Sequence, residues 1–212
     1  MDKVTLGSIA QLAKLHQSGE HEKAFLGYQE LLTQHPNSPD IHHIIGIYFA
    51  QSGQTEKAHQ HFSSAISLEP NNVRYQEALA TLHSTSGQPK KAIALLEKIV
   101  KRHPDYHTAK INLASCLIKL QSFEKAQVIL SELQLKNLSI ANIHYHQALI
   151  YMHQHNVANA IDQLEKTIAL DSTHLSAIKQ LAKAYHENTQ HLKAKPLYET
   201  ATTADPNDTE LK

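Results

Sequence analysis

One cysteine, Cys116, stands in 212 residues, and with no second sulfur in the chain an intramolecular disulfide is excluded. Its place in the middle of an apolar stretch gives it the character of a small buried hydrophobe. Six glycines are too few for a glycine-rich phosphate loop, and no GxSxG segment occurs. Net charge is absent as well. Twenty Lys and Arg stand against 20 Asp and Glu with no long basic block, which removes the electrostatic footing for a nucleic-acid or anionic-membrane surface. No apolar run approaches the roughly 20 residues of a membrane span. The opening MDKVTLGSIAQLAKLHQSGE has an acid at Asp2 and no continuous apolar core, so it reads as folded structure and not as a signal peptide. A cytoplasmic protein is the simplest expectation.

What the chain has in quantity is repetition. Residues 39–72, PDIHHIIGIYFAQSGQTEKAHQHFSSAISLEPNN, read as two helices and a turn. Ser38 is placed to cap the first helix and Pro39 suits its first turn, while Gly46 and Ala50 are small where a second helix must come close. Gly53 supplies the left-handed residue that ends a helix, and Thr55 is placed to cap the second one. On that second helix Ala58, Phe62, Ala65 and Ile66 form one apolar stripe, and Pro70 stops it. A step of 34 residues carries Ala58 to Ala24, Ala92, Ala126, Ala160 and Ala194, with no insertion. The same step carries Phe62 to Tyr28, Leu96, Leu130, Leu164 and Tyr198. Six repeats result, over 5–38, 39–72, 73–106, 107–140, 141–174 and 175–208.

The later repeats depart from the pattern. Repeat four has Gln121 at the turn glycine and Leu138 at the terminal proline, so only Asn137 breaks the junction to repeat five, which predicts an altered angle or a looser turn. Repeat five has His155 at its turn, Ser172 for proline, and Thr167 at an apolar slot. Pro89 sits near a helix start, where a missing N–H is harmless, and Pro196 falls early in the last helix, where a mild distortion is expected.

A period of 34 with small-residue, aromatic and proline landmarks resembles the tetratricopeptide repeat family over residues 5–208. The resemblance implies an all-α, right-handed superhelical α-solenoid of antiparallel helix pairs, in a single array over residues 1–212. Stability then sums over repeats and their interfaces. The four residues after Asp208 are too few for the polar helix that closes such arrays, so the chain is expected to be part of a longer one or to stack on another surface.

Seventeen histidines raise the question of metal. Two ligands on one helical face need i and i+3 or i+4, whereas His42/His43, His59/His61, His144/His146 and His153/His155 are one or two apart, and His103/His107 straddle Pro104. No metal and no cofactor is expected, although clusters across repeats stay open. Glu56, Glu77 and Glu124 sit at helix starts or exposed faces, where they serve the helix dipole. No catalytic group stands out, so the chain reads as a non-enzyme.

The resemblance assigns the free face of each first helix to an inner groove. Its slots are Leu6, Ile9, Ala13, His16 and Gln17; Asp40, His43, Ile47 and Gln51; Arg74, Glu77, Thr81 and Thr85; then, in repeats four to six, a longer set. Within that set Ile111, Ile118, Tyr145, Leu149 and Met152 form an apolar cluster, Asn112, His146 and Gln180 a polar row, and Lys179 and Lys183 lie beside it. Exposed apolar clusters mark interaction surfaces; the alternative is that neighbouring helices cover this one at the irregular Leu138 junction. The resemblance thus implies a scaffold binding a peptide segment or partner protein in its groove. No three consecutive repeats supply the Lys and Asn set that grips chaperone tails. Two other readings stand: a substrate-recruiting arm of a glycosyltransferase or sulfotransferase continuing beyond Lys212, and self-association through the array ends.

Overall fold

Apolar residues spaced by three and four become helix throughout. The computed structural model describes residues 3–136, 138, 140–206 and 208, with side chains at all of these except 3–6 and 17. Among the described residues there are twelve helices and no strand: α1 (Lys3–Gln17), α2 (His21–Gln34), α3 (Pro39–Gln51), α4 (Thr55–Leu68), α5 (Val73–Thr85), α6 (Pro89–Arg102), α7 (His107–Lys119), α8 (Phe123–Leu135), α9 (Ala141–His153), α10 (Val157–Leu170), α11 (Leu175–Glu187) and α12 (His191–Ala204). Repeats two to six each start on the first residue of a helix, as the periodicity predicts. Only α1 begins early, at Lys3 instead of Thr5. The breaker Asn137, the side chains of the groove slots Leu6 and Gln17, and the closing TELK lie outside the described residues.

The recurring alanines show why the register is strict. Ala24, Ala58, Ala92, Ala126, Ala160 and Ala194 are all buried where the two helices of a pair meet, and any larger side chain there would push the helices apart. The large residue one turn on, Tyr28, Phe62, Leu96, Leu130 or Leu164, is buried as well, each such side chain contributing roughly 1.5 to 3 kcal/mol. Tyr198 alone in that series stays half-exposed. Gly46 is fitted to its partner, since a Cβ there would lie 2.6 Å from the Phe62 ring. In repeats three to six that partner is a leucine or Tyr198, and the glycine is replaced by Ala80, Ala114, Ala148 and Ala182.

Some local expectations need correction. Ser38 does cap α3, its hydroxyl accepting from the Ile41 N–H at 3.5 Å, but Thr55 is the first residue of α4 and caps nothing. Side-chain caps fall elsewhere, on Asn72, Asn156 and His174, the last through an imidazole nitrogen that accepts from the Ala177 N–H at 3.2 Å. α12 runs through Pro196 without interruption. Thr167 is fully buried because its hydroxyl donates to the Gln163 carbonyl at 2.8 Å, which removes the penalty of a polar atom in an apolar slot. At the junction of repeats four and five, α8 stops at Leu135 and Leu138 is half-buried.

Two residues beyond the end of every first helix stands a residue with positive φ. Gly19, Gly53 and Gly87 take this conformation in repeats one to three, and Gln121, His155 and Thr189 take it in repeats four to six. Each turn is closed by the same bond, from an N–H to the carbonyl five residues back, as in Gln54 to Phe49 at 2.8 Å and Asn156 to Tyr151 at 2.9 Å.

The chain divides into two compact units, Met1–Ala109 and Lys110–Lys212. Unit 1 is held by an aromatic core in which Phe25 stacks on Tyr48 at 4.6 Å and meets Phe49 edge-on at 5.3 Å. Leu82, Ile41 and Ile45 join it. In unit 2 the buried side chains are mostly aliphatic, with Leu130, Leu133, Ile143 and Ile150 fully buried and a cluster of Ala148, Leu164, Ala177, Leu181 and Ala184 that includes Tyr185. No helix of the described residues is long and apolar enough to cross a membrane.

Candidate functional site

First helices α3 and α5 lie side by side in unit 1, and the slots they leave free face one space. His43, Ile47 and Gln51 from α3 meet Arg74, Glu77, Thr81 and Thr85 from α5 around a cavity of about 570 Å³. Its floor is apolar, made by Ala50, Phe62, Ala78 and Leu82, and Tyr106 stands at its rim. A cavity of this size holds one or two side chains of a ligand. The groove slots of repeats two and three therefore converge, with Asp40 the exception. Its carboxylate is taken by the Tyr75 hydroxyl, which donates to it at 2.7 Å from α5.

Charge around the cavity is unevenly neutralised. Glu77 accepts a hydrogen bond from the Tyr106 hydroxyl, and burial together with that carboxylate pushes Tyr106 up to about 12. His43 is pushed down to about 4, chiefly by burial and further by the Arg74 cation, so it is a neutral imidazole at pH 7. Arg74 makes no side-chain hydrogen bond or ion pair with another described residue. It is thus the cation at this site with its donors still unused.

In unit 2 the residues singled out in the sequence occupy mixed surroundings. Ile111 is 6% exposed and His146 8%, so both are buried, whereas Asn112, Ile118, Tyr145, Leu149, Met152, Lys179 and Gln180 are half-buried and Lys183 is exposed. The Tyr145 ring packs 4.7 Å from His174, and burial pushes its hydroxyl up. His146 is pushed down to about 4 by burial first, then by His174 and Lys119, and its Nδ1 has no hydrogen-bond partner among the described residues. Lys179 is already engaged by Asp205 at 3.2 Å and by Asp208. Lys183 lies 4.0 Å from Glu187.

Two features escaped the sequence reading. Small side chains at Ala50, Ala78, Thr81 and Thr85 open the α3/α5 cavity, and their sizes were the available signal, against Ile118, Met152 and Leu149 at matching slots further on. Histidines also pair between helices. His42 Nε2 donates to the Pro36 carbonyl at 3.1 Å, which leaves its Nδ1 as an acceptor for the His61 Nδ1–H at 3.1 Å. Among the described residues no three His, Cys, Asp or Glu gather as metal ligands would.

Comparison with known families matches residues 84–149 and 179–208 to the tetratricopeptide repeat. The chain is a tetratricopeptide repeat protein. No curated protein matches it by sequence. Among solved structures it is similar to a chain of the anaphase-promoting-complex hetero-tetramer Cut9-Hcn1, with a TM-score of 0.84 and 18% identity over 94% of this chain. It spans only 40% of that chain's length. PilW, described as a widely conserved type IV pilus biogenesis factor, gives a TM-score of 0.79 and 15% identity over 100% of this chain and 98% of its own. Pseudomonas aeruginosa pilF gives 0.76 and 13% over 99% and 96%. At such identities these likenesses speak for the fold alone.

Proposed function

We propose that the protein is a scaffold that binds an extended segment of a partner protein on the first-helix face of unit 1, with the cavity between α3 and α5 as the anchor. The tetratricopeptide fold is in general a protein–protein interaction scaffold. The observation that carries the finer reading is the convergence of seven groove slots on a cavity whose floor is apolar and whose rim holds a guanidinium with no ion pair among the described residues. An apolar side chain of the segment fills the floor, and an acidic group beside it meets Arg74. A charge-assisted hydrogen bond of that kind is worth about 1.5 to 3 kcal/mol. Ile111, Ile118, Tyr145, Leu149 and Met152, flanked by Asn112, His146, Gln180, Lys179 and Lys183, are proposed as a second contact surface on unit 2. Its half-buried members Tyr145, Leu149 and Met152 support this.

The test is affinity capture with the intact chain and with Thr81→Trp, which fills the cavity from an exposed position. Partners held by the intact chain should be lost from the variant while its melting temperature stays within a few degrees. Arg74→Ala should weaken capture about tenfold or more. Undiminished capture by both variants would remove the cavity from the account.

A further inference from the structure

Two loops between repeats are tied down by the same hydrogen bond, and it needs only one donor. In repeat two His42 Nε2 donates to the Pro36 carbonyl at 3.1 Å, and in repeat three, at the same slots, the Gln76 side-chain amide donates to the Pro70 carbonyl. Glutamine does this alone, since the slot that His61 fills in repeat two holds Leu95 in repeat three. Repeat two therefore carries two ring nitrogens beyond what its loop requires: the Nδ1 atoms of His42 on α3 and His61 on α4, aimed at each other 3.1 Å apart. No other repeat has histidine at both slots. Repeat five comes nearest, with His144 donating from Nδ1 to the Gln163 side-chain oxygen at 2.7 Å.

The two rings of repeat two are placed as ligands are. His42 gives its Nε2–H to a main-chain carbonyl, the outer contact that fixes the tautomer and direction of metal-bound histidines, and so keeps its Nδ1 unprotonated. The buried Phe49 ring packs 5.5 Å from that of His61 and limits its rotation. With bonds of about 2.0 to 2.1 Å, two imidazole nitrogens on a tetrahedral ion stand about 3.3 Å apart, a few tenths of an ångström more than the present spacing. Both rings are half-buried, which leaves the other positions of an ion open to water.

We infer that His42 and His61 chelate a late first-row divalent metal ion through their Nδ1 atoms. Imidazole suits zinc, nickel and copper and not the oxygen-seeking calcium or magnesium, and copper should bind tighter than zinc. The ion takes the place of the proton between the rings. His61 gives up its Nδ1–H and carries the proton on Nε2 instead, so both rings stay neutral and end as the same tautomer. Two protein ligands are one fewer than the three of a catalytic zinc site, and the ion therefore acts as a clasp that ties α3 to α4. An ion bound by the folded chain alone raises its stability. Neither histidine lines the α3/α5 cavity, so the clasp is independent of the groove reading.

The probe is zinc chloride, titrated at neutral pH into the whole isotope-labelled chain and followed by long-range proton–nitrogen NMR, which reads the tautomer of each imidazole. The expected result is that His61 passes from Nδ1–H to Nε2–H at submillimolar zinc, with both Nδ1 atoms shifted before any other imidazole responds, and that the melting temperature rises. His61→Gln installs the side-chain pair of repeat five, and His42→Gln the loop donor of repeat three, so each uses a combination this chain already folds with. Either variant should weaken zinc binding at least tenfold and abolish the thermal gain. Zinc that reaches other imidazoles first, a His61 ring that keeps its Nδ1 proton, or a thermal gain undiminished in both variants would overturn the proposal.

Discussion

In unit 1 the chain passes from first to second helix on Gly19, Gly53 and Gly87, whereas in unit 2 it makes the same passage on Gln121, His155 and Thr189 at φ of 57°, 58° and 59°. A left-handed residue costs a non-glycine of order 1 kcal/mol, and unit 2 bears that cost three times without changing the turn or the hydrogen bond that closes it. The packing of the paired helices therefore dictates the conformation, and glycine only lowers its cost. The interiors follow the same logic. Unit 1 sets Gly46 against Phe62, while unit 2 sets Ala114 and Ala148 at the glycine's slot and Leu130 and Leu164 at the phenylalanine's, two solutions to one interhelical distance. The groove faces differ in the opposite sense, with small side chains opening a cavity in unit 1 and bulkier ones standing at the matching slots of unit 2.

Acid should separate the units most strongly. His43 in unit 1 and His146 in unit 2 are each pushed down to about 4. Their unfolded value is about 6.5, so as pH falls the unfolded chain takes up the proton first; the stability is complete above about pH 6.5 and is lost on the way down to about 4. The loss is on the order of 3 kcal/mol for each. His16, His61 and His83, all in unit 1, are also lowered, chiefly by burial. Full protonation of seventeen histidines adds general repulsion on a neutral chain. Pulse proteolysis between pH 7 and pH 4.5 should find unit 1 opening first, and His146→Leu should blunt the sensitivity of unit 2. A flat profile would mean that these imidazoles are not held neutral.

Next in size is Gly46→Ala, which drives a Cβ into the Phe62 ring and should lower stability by about 1 to 3 kcal/mol despite the better helix propensity of alanine. Coupling it with Phe62→Leu, the pairing used in unit 2, should recover part of the loss; a non-recovering double variant would break the equivalence of the two solutions. Smaller gains are expected at the turns. Gln121→Gly, His155→Gly and Thr189→Gly should each stabilise by about 0.5 to 1 kcal/mol, most for the β-branched threonine, and Gly53→Ala should lose a similar amount. Thermal melts that rank these changes otherwise would show that the turn is set locally. Smallest is Met152→Ala, expected to weaken partner capture several-fold with little change in melting temperature if the unit 2 face is used.

The starts of the first helices from α3 onward were legible to the residue, because the alanine and the large apolar slot recur without insertion and each is buried in the packing of a pair. Single caps were not: Thr55 has the right chemistry one position too late, and His174 caps with a side chain rarely counted for it. The candidate site was half legible. The resemblance named the slots that line the cavity, but a search for protruding apolar residues pointed to repeats four and five, where Ile111 and His146 turn out buried, and passed over a site formed by smallness. Histidine pairs such as His42 and His61 join residues on different helices of one repeat, which no spacing along a single helix reveals.

The central claim is that the α3/α5 cavity, and not the outer surface, takes the partner. A photo-cross-linking residue placed at position 81, on the cavity, and separately at position 26, where Leu26 is 65% exposed on α2, tests it most directly. The account predicts a cross-linked partner at 81 that disappears with Arg74→Ala, and none at 26. A partner trapped at 26 and absent at 81 would contradict it.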